Sequence, residues 1–254
     1  MKIKLLGSSV QDTARRQYVS SYLINGTVAI DVGCLGFYGS PKEQEAIRHV
    51  FLTHSHIDHT ASLPIFVENV WTPAESCPHI YGGPETLSAV QKHMFNNVMW
   101  PDFIALSQTM PPFLDFRSLD AEVPVEADGL QITPVRVNHV VPTFAYVVSD
   151  GKIAVIFGAD SGPTERLWEV AHKTAGLRAV FMEACFPNYM SHLAEVSLHM
   201  TSEMFGREVA KIPAGIKIVA VHIKVRYRED VIRELHALQL PDLEIAECDK
   251  EYDF

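Results

Sequence analysis

The segment His49-Val50-Phe51-Leu52-Thr53-His54-Ser55-His56-Ile57-Asp58-His59 constrains this chain more than any other. A short apolar run, of the kind that forms a buried strand, ends in three histidines and one aspartate spread over His54 to His59. Imidazole and carboxylate are common ligands of divalent cations. A cluster this dense, delivered by a buried strand, points to a metal rather than to a solvated loop. The arrangement H-x-H-x-D-H gives neutral nitrogen donors to a borderline ion such as zinc, and one carboxylate to a harder or second ion.

Further ligands stand at equivalent places along the chain. His139 follows Thr133 to Asn138, Asp160 follows Ile153 to Ala159, and His222 follows Lys217 to Val221. Each is a coordinating side chain at the C-terminal end of an apolar strand, where a rigid scaffold holds a site within tight tolerance. Together with the cluster they make seven candidate ligands: His54, His56, Asp58, His59, His139, Asp160 and His222. Seven is too many for one tetrahedral zinc and suits two ions that share a bridging carboxylate.

The intervening sequence alternates strand and helix signals. Lys2–Gly7, Val19–Asn25 and Thr27–Gly33 read as hairpin strands, with Asn25-Gly26 as the turn between the last two. Ser40-Pro41-Lys42-Glu43 carries the marks of a capped helix start: Ser at the cap, Pro at the first position and Glu closing a capping box. A helix is expected from Pro84. Hairpins are expected over Val123–His139 and over Thr143–Asp160, the second turning at Asp150-Gly151. Beyond Pro163 helices and strands alternate to Cys248. Strand runs interleaved with helices fit two sheets with helices packed outside them.

Composition excludes several classes. A net charge of −10 counts against a broad nucleic-acid surface, which needs clustered Lys and Arg. The four cysteines, Cys34, Cys77, Cys185 and Cys248, show no paired spacing, so neither a cysteine-built zinc site nor a disulfide framework is expected. No run reaches the roughly 18 to 20 apolar residues of a membrane helix. Polar residues come too early in Met1–Asp12 for a signal-peptide apolar region of about 7 to 15 residues. A cytoplasmic protein without a membrane partner is the expectation.

The ordered set H-x-H-x-D-H, lone His, lone Asp, lone His resembles the metallo-β-lactamase fold family, and the resemblance covers essentially the whole chain. It implies an α/β architecture, an αββα sandwich of two mixed β-sheets flanked by helices, as a single domain over residues 1–254. It also implies two divalent ions, zinc first with manganese or iron as alternatives. His54, His56 and His139 would hold one ion, Asp58, His59 and His222 the other, and Asp160 would bridge them. This fold hosts many reactions, but local segments narrow the choice. Met182-Glu183-Ala184-Cys185-Phe186, Leu198-His199-Met200-Thr201 and His222-Ile223-Lys224-Val225-Arg226-Tyr227 are similar to segments of tRNase Z. Lys92–Phe103 resembles an insert of class II cyclic-nucleotide phosphodiesterases, and the metal motif partly meets their H-x-H-L-D-H signature, with Ile57 in place of Leu and Ser62 or a neighbour where a Gly is expected.

The expected function is hydrolysis of cAMP or cGMP to the 5′-monophosphate by a hydroxide bridging the two ions. A tRNase Z-like endonuclease is the alternative within the fold, and a metal-binding protein without turnover lies outside it. Asp58, Glu183 and His199 are the expected catalytic residues: His199 would protonate the leaving oxygen, and Glu183 would orient it. Lys224 and Arg226 are candidates for the phosphate; Phe95, Asn97 and Trp100 are candidates for the base. The partner is a small phosphodiester rather than nucleic acid, with a homodimer as an open state of assembly.

Overall fold

The computed structural model describes residues 1–8, 16–74 and 76–254, and the chain divides into two compact units, each organised around one seven-stranded sheet. The first unit contains β1 (Lys2–Leu5), β2 (Tyr22–Ile24), β3 (Val28–Ile30), β4 (His49–Phe51), β5 (His79–Gly82) and β6 (Asp115–Ser118) in that spatial order, with the C-terminal strand Glu251–Asp253 outside β1. The second contains β7 (Val125–Ala127), β8 (Leu130–Val137), β9 (Thr143–Ser149), β10 (Ala154–Phe157), β11 (Leu177–Glu183), β12 (Lys217–Val221) and β13 (Leu243–Ile245).

Both sheets follow one plan. Antiparallel pairs come first, up to β2–β3 and β9–β10, and parallel pairs follow from β3–β4 and β10–β11 onward. The turn chemistry explains the antiparallel part. Asn25 and Gly26 both take positive φ, 50° and 80°, as do Asp128 and Gly129 at 49° and 77°. These are the conformations a tight two-residue hairpin requires.

Helices flank each sheet. In the first unit α1 (Pro41–Gln44) starts with the complete Ser40–Glu43 capping box. It is followed by α2 (Ile57–Thr60), α3 (Leu63–Val70), α4 (Pro84–His93) and α5 (Phe103–Leu106). Leu63, Phe66 and Val67 of α3 and Leu87 and Val90 of α4 share a core with Ala29, Val50 and Ile80. The second unit adds α6 (Arg166–Lys173), α7 (Ser191–Ser197), α8 (Ser202–Val209) and α9 (Arg228–Ala237). Its core joins Leu167, Phe205, Val231 and Leu235 to Val180, Met182 and Ala220 of the sheet. Two mixed sheets flanked by helices is the architecture the resemblance implied. Among the described residues no helix is long and apolar enough to cross a membrane.

Candidate functional site

In the first unit β4 delivers the motif, and backbone bonds fix it in place. His56 caps α2, so Asp58 and His59 lie on a short helix directly after the strand. Ser20 N–H donates to the Asp58 carbonyl at 2.8 Å, and Val32 N–H donates to the His59 carbonyl at 2.8 Å. Gly33 makes this approach achievable, because a Cβ there would lie 2.3 Å from the Asp58 carbonyl oxygen. Ser62 is fully buried; its hydroxyl donates to the Val32 carbonyl at 2.6 Å and accepts from Gly36 N–H at 2.8 Å.

The histidines are oriented by a residue the sequence reading passed over. Asp31, 1% exposed and at φ 57°, accepts from His59 Nδ1 at 2.6 Å and from Thr53 N–H at 2.8 Å. The Thr53 hydroxyl lies 2.9 Å from Asp31 Oδ2 and 2.9 Å from His54 Nδ1. With its hydrogen given to Asp31, that hydroxyl accepts from His54. Both imidazoles thus carry their hydrogen on Nδ1 and keep the Nε2 lone pair for a cation, the arrangement of an outer partner that fixes a metal ligand's tautomer. Burial pushes the Asp31 carboxyl upward, and the His59 charge and hydrogen bonds from His59 and Thr53 oppose it. The rings of His54 and His56 are 4.6 Å apart, close enough for a common ion, and the His59 ring lies 4.2 Å from that of His54.

The second unit brings together His139, Asp160, Glu183, His199 and His222 at the ends of β8, β10, β11 and β12. His139 Nδ1 lies 3.1 Å from the Leu198 carbonyl. A carbonyl only accepts, so Nδ1 holds the hydrogen and Nε2 the lone pair. Burial lowers the pKa of His139, against the Leu198 hydrogen bond and Asp160, and so favours the neutral form a metal needs. His222 Nε2 is 3.6 Å from Asp160 Oδ2, and its strained backbone, at φ 54°, donates N–H to Gln17 Oε1 at 2.9 Å. Cys185 Sγ lies 3.9 Å from His222 Nδ1.

Glu183 is fully buried. One oxygen accepts from His199 Nδ1 at 2.9 Å and Ser161 N–H at 2.7 Å, and the other from Met200 N–H at 3.2 Å. Glu183, Cys185, His199 and His222 offer ligand atoms within 4.8 Å of one another. Both Glu183 oxygens are nevertheless committed to donors of the chain, which suits an orienting carboxylate better than a ligand. Desolvation works against charge on His199, but the Glu183 charge and hydrogen bond, with Asp160 behind them, carry its pKa above the ordinary histidine value. The pair can hold a proton near neutral pH. The His199 ring is 5.8 Å from that of His222 and 5.0 Å from that of His139.

The candidate substrate residues fall differently. Lys224 is half-buried directly after His222, and its charge reaches His199. Arg226 is exposed and lines a hollow of about 440 Å³ with Arg16 and Arg228. Phe95 is 1% exposed inside the first unit's core, its ring 5.7 Å from Phe103, and has no face to offer a base. Trp100 packs against the same core, with a buried indole N–H that has no hydrogen-bond partner among the described residues. Asn97, at φ 61°, serves the local turn: its N–H donates to the Trp100 carbonyl and its Oδ1 accepts from Asp102 N–H. Sequence reasoning missed Asp31, Thr53 and Ser161. Asp31 had a signal, since it closes the apolar strand Thr27–Ile30 just as Asp160 follows β10.

A family model described as the beta-lactamase superfamily domain matches residues 36–223. The chain is 34% identical over 62 residues to the 3′,5′-cyclic-nucleotide phosphodiesterase 1 of Saccharomyces cerevisiae, covering 24% of this chain and 17% of that protein. It is 22% identical over 215 residues to a probable 3′,5′-cyclic-nucleotide phosphodiesterase of Yersinia pestis, covering 73% of this chain and 60% of that one. The chain thus spans less than two thirds of the length of either relative. Among solved structures, unliganded yeast PDE1 superposes with a TM-score of 0.78 at 16% identity, over 98% of both chains. Human tRNase Z, short form, does so with a TM-score of 0.67 at 16% identity, over 100% of this chain and 99% of that one. At these identities the likeness shows a shared fold.

Proposed function

The chain belongs to the beta-lactamase superfamily, and we propose that within it this protein is a metal-dependent phosphodiesterase that hydrolyses 3′,5′-cyclic nucleotides to 5′-monophosphates. The buried Glu183–His199 pair carries this reading, because a protein that only binds metal has no use for an imidazole held toward its charged form beside Asp160. Two relatives named as cyclic-nucleotide phosphodiesterases support the substrate class.

In this reading His54, His56 and His139 would hold one divalent ion, Asp58, His59 and His222 would hold a second, and Asp160 would serve both. The donor set fits: the tautomers of His54, His59 and His139 are fixed by Thr53, Asp31 and the Leu198 carbonyl. Nitrogen-rich sets favour zinc, and the carboxylates also suit manganese or iron. When bound, such ions supply positive charge to the phosphodiester and a water of lowered pKa. The chain's own contribution is a proton: His199 gives its proton to the leaving 3′-oxygen while Glu183 keeps the ring in place and stabilises its charge. Lys224 supplies a half-buried cation for the phosphate, and Arg226 a more exposed one.

A tRNase Z-like nuclease is the second reading, favoured by the Met182–Phe186 and Leu198–Thr201 segments and by the likeness to human tRNase Z. The charge of −10 weighs against it. Assaying purified protein against cAMP, cGMP, bis-nitrophenyl phosphate and a precursor tRNA tests the choice. Turnover of a cyclic nucleotide is expected; cleavage of precursor tRNA with no cyclic-nucleotide turnover would overturn it.

A further inference from the structure

The parallel strands β4, β5 and β6 begin in register with His49, His79 and Asp115. This row lies at the opposite end of β4 from the metal motif. Two residues on, Arg117 ties the row together. Its Nε donates to Asp115 Oδ2 at 2.8 Å, and its terminal nitrogens lie 3.3 Å from His79 Nε2 and 3.4 Å from the Tyr81 hydroxyl. A guanidinium only donates, so His79 accepts on Nε2 and gives its Nδ1 hydrogen to Asp115 at 3.0 Å. The proposed reaction uses none of these groups.

This fixed wall faces a cavity of about 760 Å³, within the range of about 300–1,000 Å³ usual for small-molecule sites. Its lining has two characters. Ile104, Leu114 and Phe116 form an apolar side, and Arg48 contributes a cation. The Arg48 main chain is held between neighbouring segments, its N–H donating to the Thr27 carbonyl at 3.1 Å and its carbonyl accepting from His79 N–H at 2.8 Å. Among the described residues the Arg48 guanidinium forms no ion pair. An apolar ligand would leave that cation uncompensated, and a bare inorganic anion would leave the apolar side unused. The geometry points to a second ligand site here, one that takes a small organic anion with a phosphate or carboxylate at one end and a flat apolar group at the other.

Cys77 makes the site readable. It lines the same cavity and is partly exposed, whereas Cys34, Cys185 and Cys248 are buried. A thiol reagent applied to the folded protein therefore reports on Cys77. Phenyl phosphate is a suitable probe, with inorganic phosphate and phenol as the separate halves. Phenyl phosphate should slow Cys77 labelling saturably, by roughly tenfold at ten times its half-saturating concentration. Phosphate and phenol should each protect far less at the same concentration. R48A removes a charge that lowers the Cys77 pKa, so it should label more slowly than wild type without ligand, and adding phenyl phosphate should slow that labelling no further. Absence of saturable protection, equal protection by inorganic phosphate alone, or undiminished protection in R48A would each overturn the assignment. None of these outcomes depends on cyclic-nucleotide turnover.

Discussion

Asp31→Asn isolates what the hidden carboxylate does for the metal ligands. At φ 57° an alanine would add backbone strain, whereas asparagine tolerates this conformation nearly as well as aspartate. The amide also keeps the shape, and its oxygen can still accept from Thr53. Its NH₂ group, however, would face His59 Nδ1–H, donor against donor, where a 2.6 Å charge-assisted bond now stands. The imidazole relieves this by moving its hydrogen to Nε2, the atom that should meet the metal. Loss of an outer partner costs about 10- to 100-fold in metal affinity. Because the tautomer inverts rather than loosens, the upper end is expected, about 2.8 kcal/mol at 1.4 kcal/mol per tenfold. Competition between the protein and a zinc chelator of known affinity measures the loss, and ¹⁵N chemical shifts of the His59 ring read the tautomer without metal. Unchanged zinc affinity with His59 still protonated on Nδ1 would refute the reasoning.

Three more expectations follow from the same geometry. His199→Ala should lower kcat by about 100-fold with metal content unchanged. A nitrophenyl phosphodiester, whose leaving group needs no proton, should recover most of the loss, and an equal loss on both substrates would exclude His199 as the acid. Glu183→Gln removes the charge that raises the His199 pKa. An acid with a raised pKa stays protonated to higher pH and is lost as pH climbs through it, so the alkaline limb of the kcat profile should move to lower pH in the variant; an unmoved limb would contradict this. Trp100→Phe deletes a buried N–H that lacks a partner among the described residues. It should leave KM for a cyclic nucleotide unchanged and raise stability by about 1 kcal/mol, read as a Tm about 2–4 °C higher.

Much of the site was legible because the fold writes it into strand ends. A coordinating residue after an apolar run is a local pattern, and His54 to His59, His139, Asp160 and His222 all follow it. The Ser40 capping box and the Asn25-Gly26 turn were legible for the same reason, being chemistry confined to a few neighbours. What escaped is non-local. The C-terminal strand Glu251–Asp253 owes its existence to β1 at the other end of the chain, with Ile3 opposite Tyr252. The short strand β6, Asp115–Ser118, carries no clear apolar alternation and forms the edge of its sheet by pairing with β5. Within Lys92–Phe103, Phe95 was offered for a base because an aromatic residue in sequence does not declare which way it faces. Packing turned Phe95 inward. Asp31 was hidden because its partners, Thr53 and His59, stand more than twenty residues away.

The most direct test is to strip the protein with a chelator, restore zinc in measured steps, and follow bound metal and cAMP hydrolysis together. The account predicts no turnover without metal and activity that rises to a plateau at about two ions per chain. It also predicts that Asp160→Ala loses both the ions and the activity. Full cAMP hydrolysis by the stripped protein, or a fully loaded protein that hydrolyses no cyclic nucleotide, would contradict it.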